Sequence, residues 1–171
     1  MPRYVAFLRG VSPMNAKMPE LRQCFEAAGF SDVRTVLSSG NVVFTSRSTS
    51  EYTLERKAEE AMQAALGKAF GTFVRSVAYL QELIEPDPYS AFQLASNAKR
   101  VITFLRDTGP SDIGLPIERE GARILKVTNR EVFTVYVPGA KGPVFMNLLE
   151  RTFGSNITTR TLETVKKCAM A

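Results

Sequence analysis

Hydrophobic and polar positions along the first half of the chain alternate between two periods. Tyr4–Val11 (YVAFLRGV) is an apolar run of β-forming residues and predicts a buried strand. The SPMNAK segment reads as a loop. From Met18 to Ala28 the residues Leu21, Cys24, Phe25 and Ala28 share one helical face, and Gly29 supplies the left-handed position that ends such a helix. SDVRTVLS returns to period two, with Val33, Thr35 and Leu37 against Arg34, Val36 and Ser38. VVFTS resumes that period after only SGN, so the two strands must pair antiparallel. Gly40 and Asn41 tolerate the positive φ of a tight hairpin. Ser48, three residues before Glu51, predicts a capping box. Behind it Leu54, Ala58, Ala61, Met62, Ala65, Leu66 and Ala69 form a core stripe, with Glu55, Arg56, Glu59 and Glu60 as the wet face. Gly67 and Gly71 stop this helix, and TFVRSVAYL is a fourth strand running into a short helix at LQELIE.

The order over residues 4–78 is therefore β-α-β-β-α-β, the ferredoxin-like pattern. Two right-handed crossovers put both helices on one face of a four-stranded sheet. Residues 86–100, with two prolines and mixed polarity, form the junction. Beyond it the pattern is less regular. RVITFLRD is a strand, DTGPSDIGLP a turn-rich connection, and ARILKVT and EVFTVYVPG a hairpin joined at Asn129-Arg130. GPVFMNLLERTFG is an amphipathic helix starting after Pro143 and closing at Gly154, and a last helix begins near Leu162. The expected fold is α+β: a ferredoxin-like N-terminal subdomain, residues 1–85, and a smaller α+β subdomain, residues 86–171, sharing one core. The second half has the look of a degraded copy of the first.

Composition narrows the chemistry. Histidine is absent, which removes Ser-His-Asp and Cys-His catalysis and His-ligated zinc. Two cysteines are too few for a metal site within one chain, so neither metal nor cofactor is expected. Cys24, among Leu21, Phe25 and Ala28, reads as a small buried hydrophobe. No apolar run approaches the roughly 18 residues of a membrane span, and the five-residue run Tyr4–Leu8 is too short for a signal-peptide core. The expectation is a cytoplasmic protein without a membrane partner. The net charge of +5 favours anionic partners.

Several segments, in order, resemble one known family. LRGV (Leu8–Val11) resembles its opening LRGINVGG, and SSGNVVF (Ser38–Phe44) its QSGNVVF. VITFL (Val101–Leu105), VYVPGAKG (Val135–Gly142) and TTRTLETV (Thr158–Val165) resemble its later blocks, the last usually TTRNWNTV. The family is domain of unknown function 1697. The resemblance implies an α+β fold with a ferredoxin-like subdomain and no established activity. This chain departs from it at SPMNAK, which replaces a glycine-rich loop, at Ser38 in place of glutamine, and at Thr161 and Leu162 in place of Asn-Trp. A phosphate cradle needs the close backbone approach that glycines permit, so the first departure weakens that idea.

Candidate chemistry rests on a few polar side chains. Arg9 follows a strand and marks either its exit to solvent or an anion contact. Ser39 and Asn41 stand at the hairpin corner, where turn geometry and ligand binding are compatible. Thr158, Thr159 and Arg160 read as a helix N-cap, or as a helix N-terminus plus guanidinium that holds an anion. The expected function is a non-catalytic module for a small phosphate- or carboxylate-bearing ligand, bound by Arg9, Ser39, Asn41, Thr159 and Arg160. An alternative is nucleic-acid binding, since RNA-recognition motifs share this strand order and stack bases on aromatics such as Phe7, Phe44 and Tyr4. SSGNVVFTS lacks their basic-aromatic pattern. A carboxylate-based enzyme would pair Glu118 with Glu120, or Asp107 with Asp112, but those residues lie in a turn-rich loop.

Overall fold

A computed structural model describes residues 1–109, 113–138 and 144–171. The fold is α+β, with two antiparallel sheets interleaved with helices. Contacts divide the chain into two units, Met1–Ile84 with Lys166–Ala171, and Glu85–Val165.

In the first unit the order is β1 (Arg3–Leu8), α1 (Met18–Ala27), β2 (Ser31–Thr35), β3 (Asn41–Thr45), α2 (Glu51–Leu66), β4 (Thr72–Ser76) and α3 (Val77–Ile84). The strands lie β2-β3-β1-β4 and every pairing is antiparallel. Both long helices cover one face. Leu21, Cys24 and Phe25 of α1 and Leu54, Ala58 and Met62 of α2 pack on Tyr4, Ala6, Leu8, Val42, Phe44 and Val74. An aromatic cluster centres this core, with Phe44 stacked 4.3 Å from Phe30 and 5.8 Å from Tyr4. Burial of each such side chain contributes about 1.5–3 kcal/mol. The other sheet face carries Val5, Phe7, Val43, Phe73 and Arg75. The chain's end belongs to this unit: Arg3 Nε donates to Ala171 O at 3.0 Å, and Gln81 Nε2 to Ala169 O at 3.4 Å.

Three local expectations are corrected here. The α2 cap is Ser50, not Ser48: its side chain accepts from Thr53 N at 3.1 Å. Glu55 and Glu59 are not the wet face. Glu55 is buried and accepts from Val74 N at 2.9 Å, and Glu59 accepts from Thr72 N at 3.0 Å. Helix α2 lies along β4, an edge strand, and its carboxylates take the amides that no neighbouring strand pairs. Ala65 and Ala69 are accordingly exposed. The other edge, β2, ends at Thr35 rather than Ser38. It carries a register shift between Ser31 and Arg34, with Asp32 at φ +46°.

The second unit contains β5 (Lys99–Leu105), β6 (Ile117–Arg119), β7 (Ala122–Val127), β8 (Glu131–Tyr136), α4 (Val144–Phe153) and β9 (Ile157–Thr161), and α5 (Leu162–Met170) crosses the division between the units. The strands lie β6-β7-β8-β5-β9, again antiparallel. Leu148 and Leu149 of α4 pack on Leu105, Ala122, Ile124, Val132 and Ile157. Tyr89 packs edge-on to Phe133 at 6.0 Å, and its hydroxyl donates to Val101 O at 2.8 Å. Without β6, the order β7-β8-β5-β9 repeats β2-β3-β1-β4, and α4 and α5 follow their strands as α2 and α3 do. No helix answers to α1 among the described residues. Two strands were not expected, β6 and β9. The Pro143 helix start and Asp112 lie outside the described residues.

Candidate functional site

The polar rim of the first sheet is assembled from three stretches of chain. Leu8 N donates to Gly40 O and Arg9 N to Gly71 O, both at 2.8 Å, so the end of β1, the turn before β3 and the entry to β4 meet at one edge. The turn itself is fixed from within. Val36 N donates to Asn41 O at 2.9 Å, while Asn41 Nδ2 donates to Val36 O at 2.8 Å and to Ser39 Oγ at 3.0 Å. Asn41 is fully buried and already in β3. The positive φ values fall instead on Leu37 (+60°) and Gly40 (+86°). At Gly40 a Cβ would sit 2.8 Å from Val11 Cβ, so only glycine fits the conformation and the space.

Above this turn the loop after Arg9 keeps its shape without glycine at 12–17. Asn15 Nδ2 donates to Gly10 O at 2.7 Å, and Asn15 Oδ1 accepts from Ser12 N at 2.9 Å. Ser12 and Asn15 were not singled out from sequence. Their signal is a serine followed three residues later by asparagine across a proline, a local turn pattern.

The fold brings Arg9, Ser39 and Asn41 to this rim, with Arg9 half-buried and Ser39 exposed. Thr159 and Arg160 belong to the second unit, where they lie in β9 and not at a helix N-cap; the residue capping α5 is Thr161, which accepts from Thr164 N at 3.3 Å. Thr159 is paired with Thr103 and Arg160 with Ile102. Successive strand residues project to opposite faces, so these two side chains point apart. Arg160 is buried and donates from Nη1 to Thr158 Oγ1 at 2.8 Å and to Thr159 O at 2.7 Å.

At this rim Ser39 Oγ accepts from the Asn41 side-chain amide. Among the described residues no group of three His, Cys, Asp or Glu is placed to hold a metal. Neither cysteine is in a disulfide, and both are buried. Burial, and secondarily the charge of Glu20, raises the Cys24 thiol pKa, which disfavours the reactive thiolate. Glu118 lies 2.9 Å from Arg123 as an ion pair, and Glu120 occupies the adjoining turn at φ +48°. No described helix is long and apolar enough to cross a membrane.

These features define an α+β protein of two antiparallel-sheet units, the first ending in a polar turn pinned by a buried asparagine. Residues 1–133 match the family described as Protein of unknown function (DUF1697), and the chain belongs to that family. A solved structure, a conserved bacterial protein from Streptococcus pneumoniae, is similar in fold, with a TM-score of 0.73 and 22% identity over 99% of this chain and 97% of that one. No curated protein matches the chain.

Proposed function

We propose that this protein is a non-catalytic binding module for a small anionic ligand carrying phosphate or carboxylate, acting in the cytoplasm. One observation carries the reading: Arg9 and the exposed Ser39 share the rim whose turn is closed by buried Asn41. A guanidinium and a hydroxyl carried on one rim suit an oxyanion through charge-assisted hydrogen bonds. Thr159 and Arg160 project to opposite faces of β9, and buried Arg160 already donates to Thr158 Oγ1 and Thr159 O, so the ligand is assigned to the first rim alone. The strand order β2-β3-β1-β4 is read as the ferredoxin-like arrangement.

The test is thermal stabilisation by inorganic phosphate, pyrophosphate and citrate, with chloride at matched ionic strength as control. A ligand present at 100 times its Kd adds about 2.7 kcal/mol to stability. Arg9→Ala and Ser39→Ala should remove most of the gain. No stabilisation by any of the three anions ends the proposal. Nucleic-acid binding is the lesser reading. Tyr4 and Phe44 are engaged in the helix-covered core, leaving electrostatic attraction, which falls steeply with added salt.

A further inference from the structure

A cavity of about 400 Å³ lies wholly within the second unit, on the face of its sheet away from α4. The register fixes that face. Glu118, Arg123 and Val135 stand opposite one another across β6, β7 and β8, so their side chains share one side of the sheet. Their neighbours Ala122 and Tyr136 project the other way and pack with Leu148 and Leu149 of α4. Val135 and Val137 give the cavity an apolar floor, and Leu94, Ala95 and Ala98 of the segment before β5 close over it. Arg123 ties that segment to the sheet, its Nη1 donating to Gln93 O at 3.0 Å. Val137 keeps 38% of its surface exposed, so the floor retains apolar area that the described residues leave uncovered.

The polar end of the cavity is the β6–β7 hairpin, where Glu118, Arg119, Glu120 and Arg123 line it. Glu118 and Arg123 answer each other as an ion pair at 2.9 Å. Arg119 and Glu120 are exposed and make no hydrogen bond or ion pair with any described residue. One positive and one negative group therefore stand side by side at an apolar hollow, neither of them neutralised by the fold. From this arrangement we infer that the cavity binds a small zwitterion with an apolar body, of the α-amino-acid class. Arg119 takes the carboxylate through its paired N–H donors, and Glu120 takes the ammonium group. The apolar side chain lies on Val135 and Val137, where it removes their remaining surface from water. Charge sets the class: a plain acid would meet the Glu118 and Glu120 carboxylates, and a plain amine would leave Arg119 unanswered. Size agrees, since the volume sits near the lower end of the roughly 300–1,000 Å³ typical of small-molecule pockets. This site shares no residue with the first rim and stands independently of the anion reading.

The experiment is a titration of the full, ¹⁵N-labelled chain with phenylalanine and with leucine, followed by amide shifts. Glycine, phenylpropionate and phenethylamine serve as controls that lack the apolar body, the ammonium group and the carboxylate in turn. With phenylalanine and leucine the amides of Ala95, Ala98, Gly121 and Val137 should move to saturation. Each control should bind at least about tenfold more weakly, as the loss of one charge-assisted hydrogen bond or of the buried side chain requires. Arg119→Gln and Glu120→Gln should each weaken phenylalanine binding by about the same factor. Both positions are exposed, so the variants keep the fold, and unchanged amide shifts elsewhere check it. No saturable shift at the four amides overturns the inference. So does a control that binds as tightly as phenylalanine, or a folded variant at either position that binds it unchanged.

Discussion

Asn41 shows how one side chain holds a turn. Its amide nitrogen serves two acceptors, Val36 O and Ser39 Oγ, and none of its surface is exposed. Asn41→Ala removes that donor from a buried carbonyl, at a cost of about 1–3 kcal/mol. Asn41→Asp should be at least as harmful, because a carboxylate cannot donate and its charge would be buried. Urea unfolding of the two variants checks both statements. Part of this was legible in the residues. SGN between two alternating runs announced a hairpin, and β2 and β3 do pair antiparallel around it. The assignment of positive φ to Asn41 was wrong because the loop is longer than SGN: Leu37, a residue with no turn propensity, takes the left-handed conformation that frees Asn41 to enter the strand. The scaffold role of Asn15 was passed over, although its partners, Ser12 N and Gly10 O, lie three and five residues away in a local turn pattern.

At the scale of elements, α2 and β4 depend on each other. Glu55→Ala should leave the buried Val74 N–H unpaired, costing about 1–3 kcal/mol, whereas Glu55→Gln keeps an acceptor oxygen and should cost less. Denaturant midpoints of the pair separate loss of the acceptor from loss of charge. Ser50→Ala should cost about 1 kcal/mol by uncapping α2, and Ser48→Ala almost nothing, with the same measurement deciding which serine is the cap. The apolar stripe located α2, but the stripe alone was silent about which neighbour the flanking glutamates would meet. Strand β9 was missed for a related reason. ITTRT is short and polar, and nothing in it alternates by hydrophobicity. It is a strand because β5 supplies a ladder partner from Val101 to Leu105, and that is a tertiary fact. The hairpin β7–β8 and the helices α1, α2 and α4 carried periodic apolar positions of their own and were readable for that reason.

On the scale of the molecule, the chain applies one strand order twice, which the irregular second half only hinted at. The repetition is masked in sequence because, among the described residues, the second unit shows no counterpart of α1 and adds β6 at its edge. A buried phenol in the second unit makes stability depend on pH. Desolvation raises the Tyr89 pKa well above its usual value, against the hydrogen bonds at Thr134 and Val101 that lower it. Above about pH 10 an unfolded tyrosine has lost its proton while folded Tyr89 keeps it. The unfolded state then binds fewer protons, so stability is complete below that pH and declines as pH rises through the folded value. Tyr89→Phe should flatten this alkaline decline in urea midpoints, with Thr134 Oγ1 still donating to Val101 O at 2.9 Å. The carboxylates along β4 have a consequence for life in a crowded solution. Amides on a bare outer strand would template the addition of another chain, and Thr72 and Val74 have theirs filled from within. At the far side the kink at Asp32, flanked by Arg34, spoils the register any incoming strand would need. The first sheet is thereby finished at both margins, and copies of this protein have little purchase for joining margin to margin into fibres.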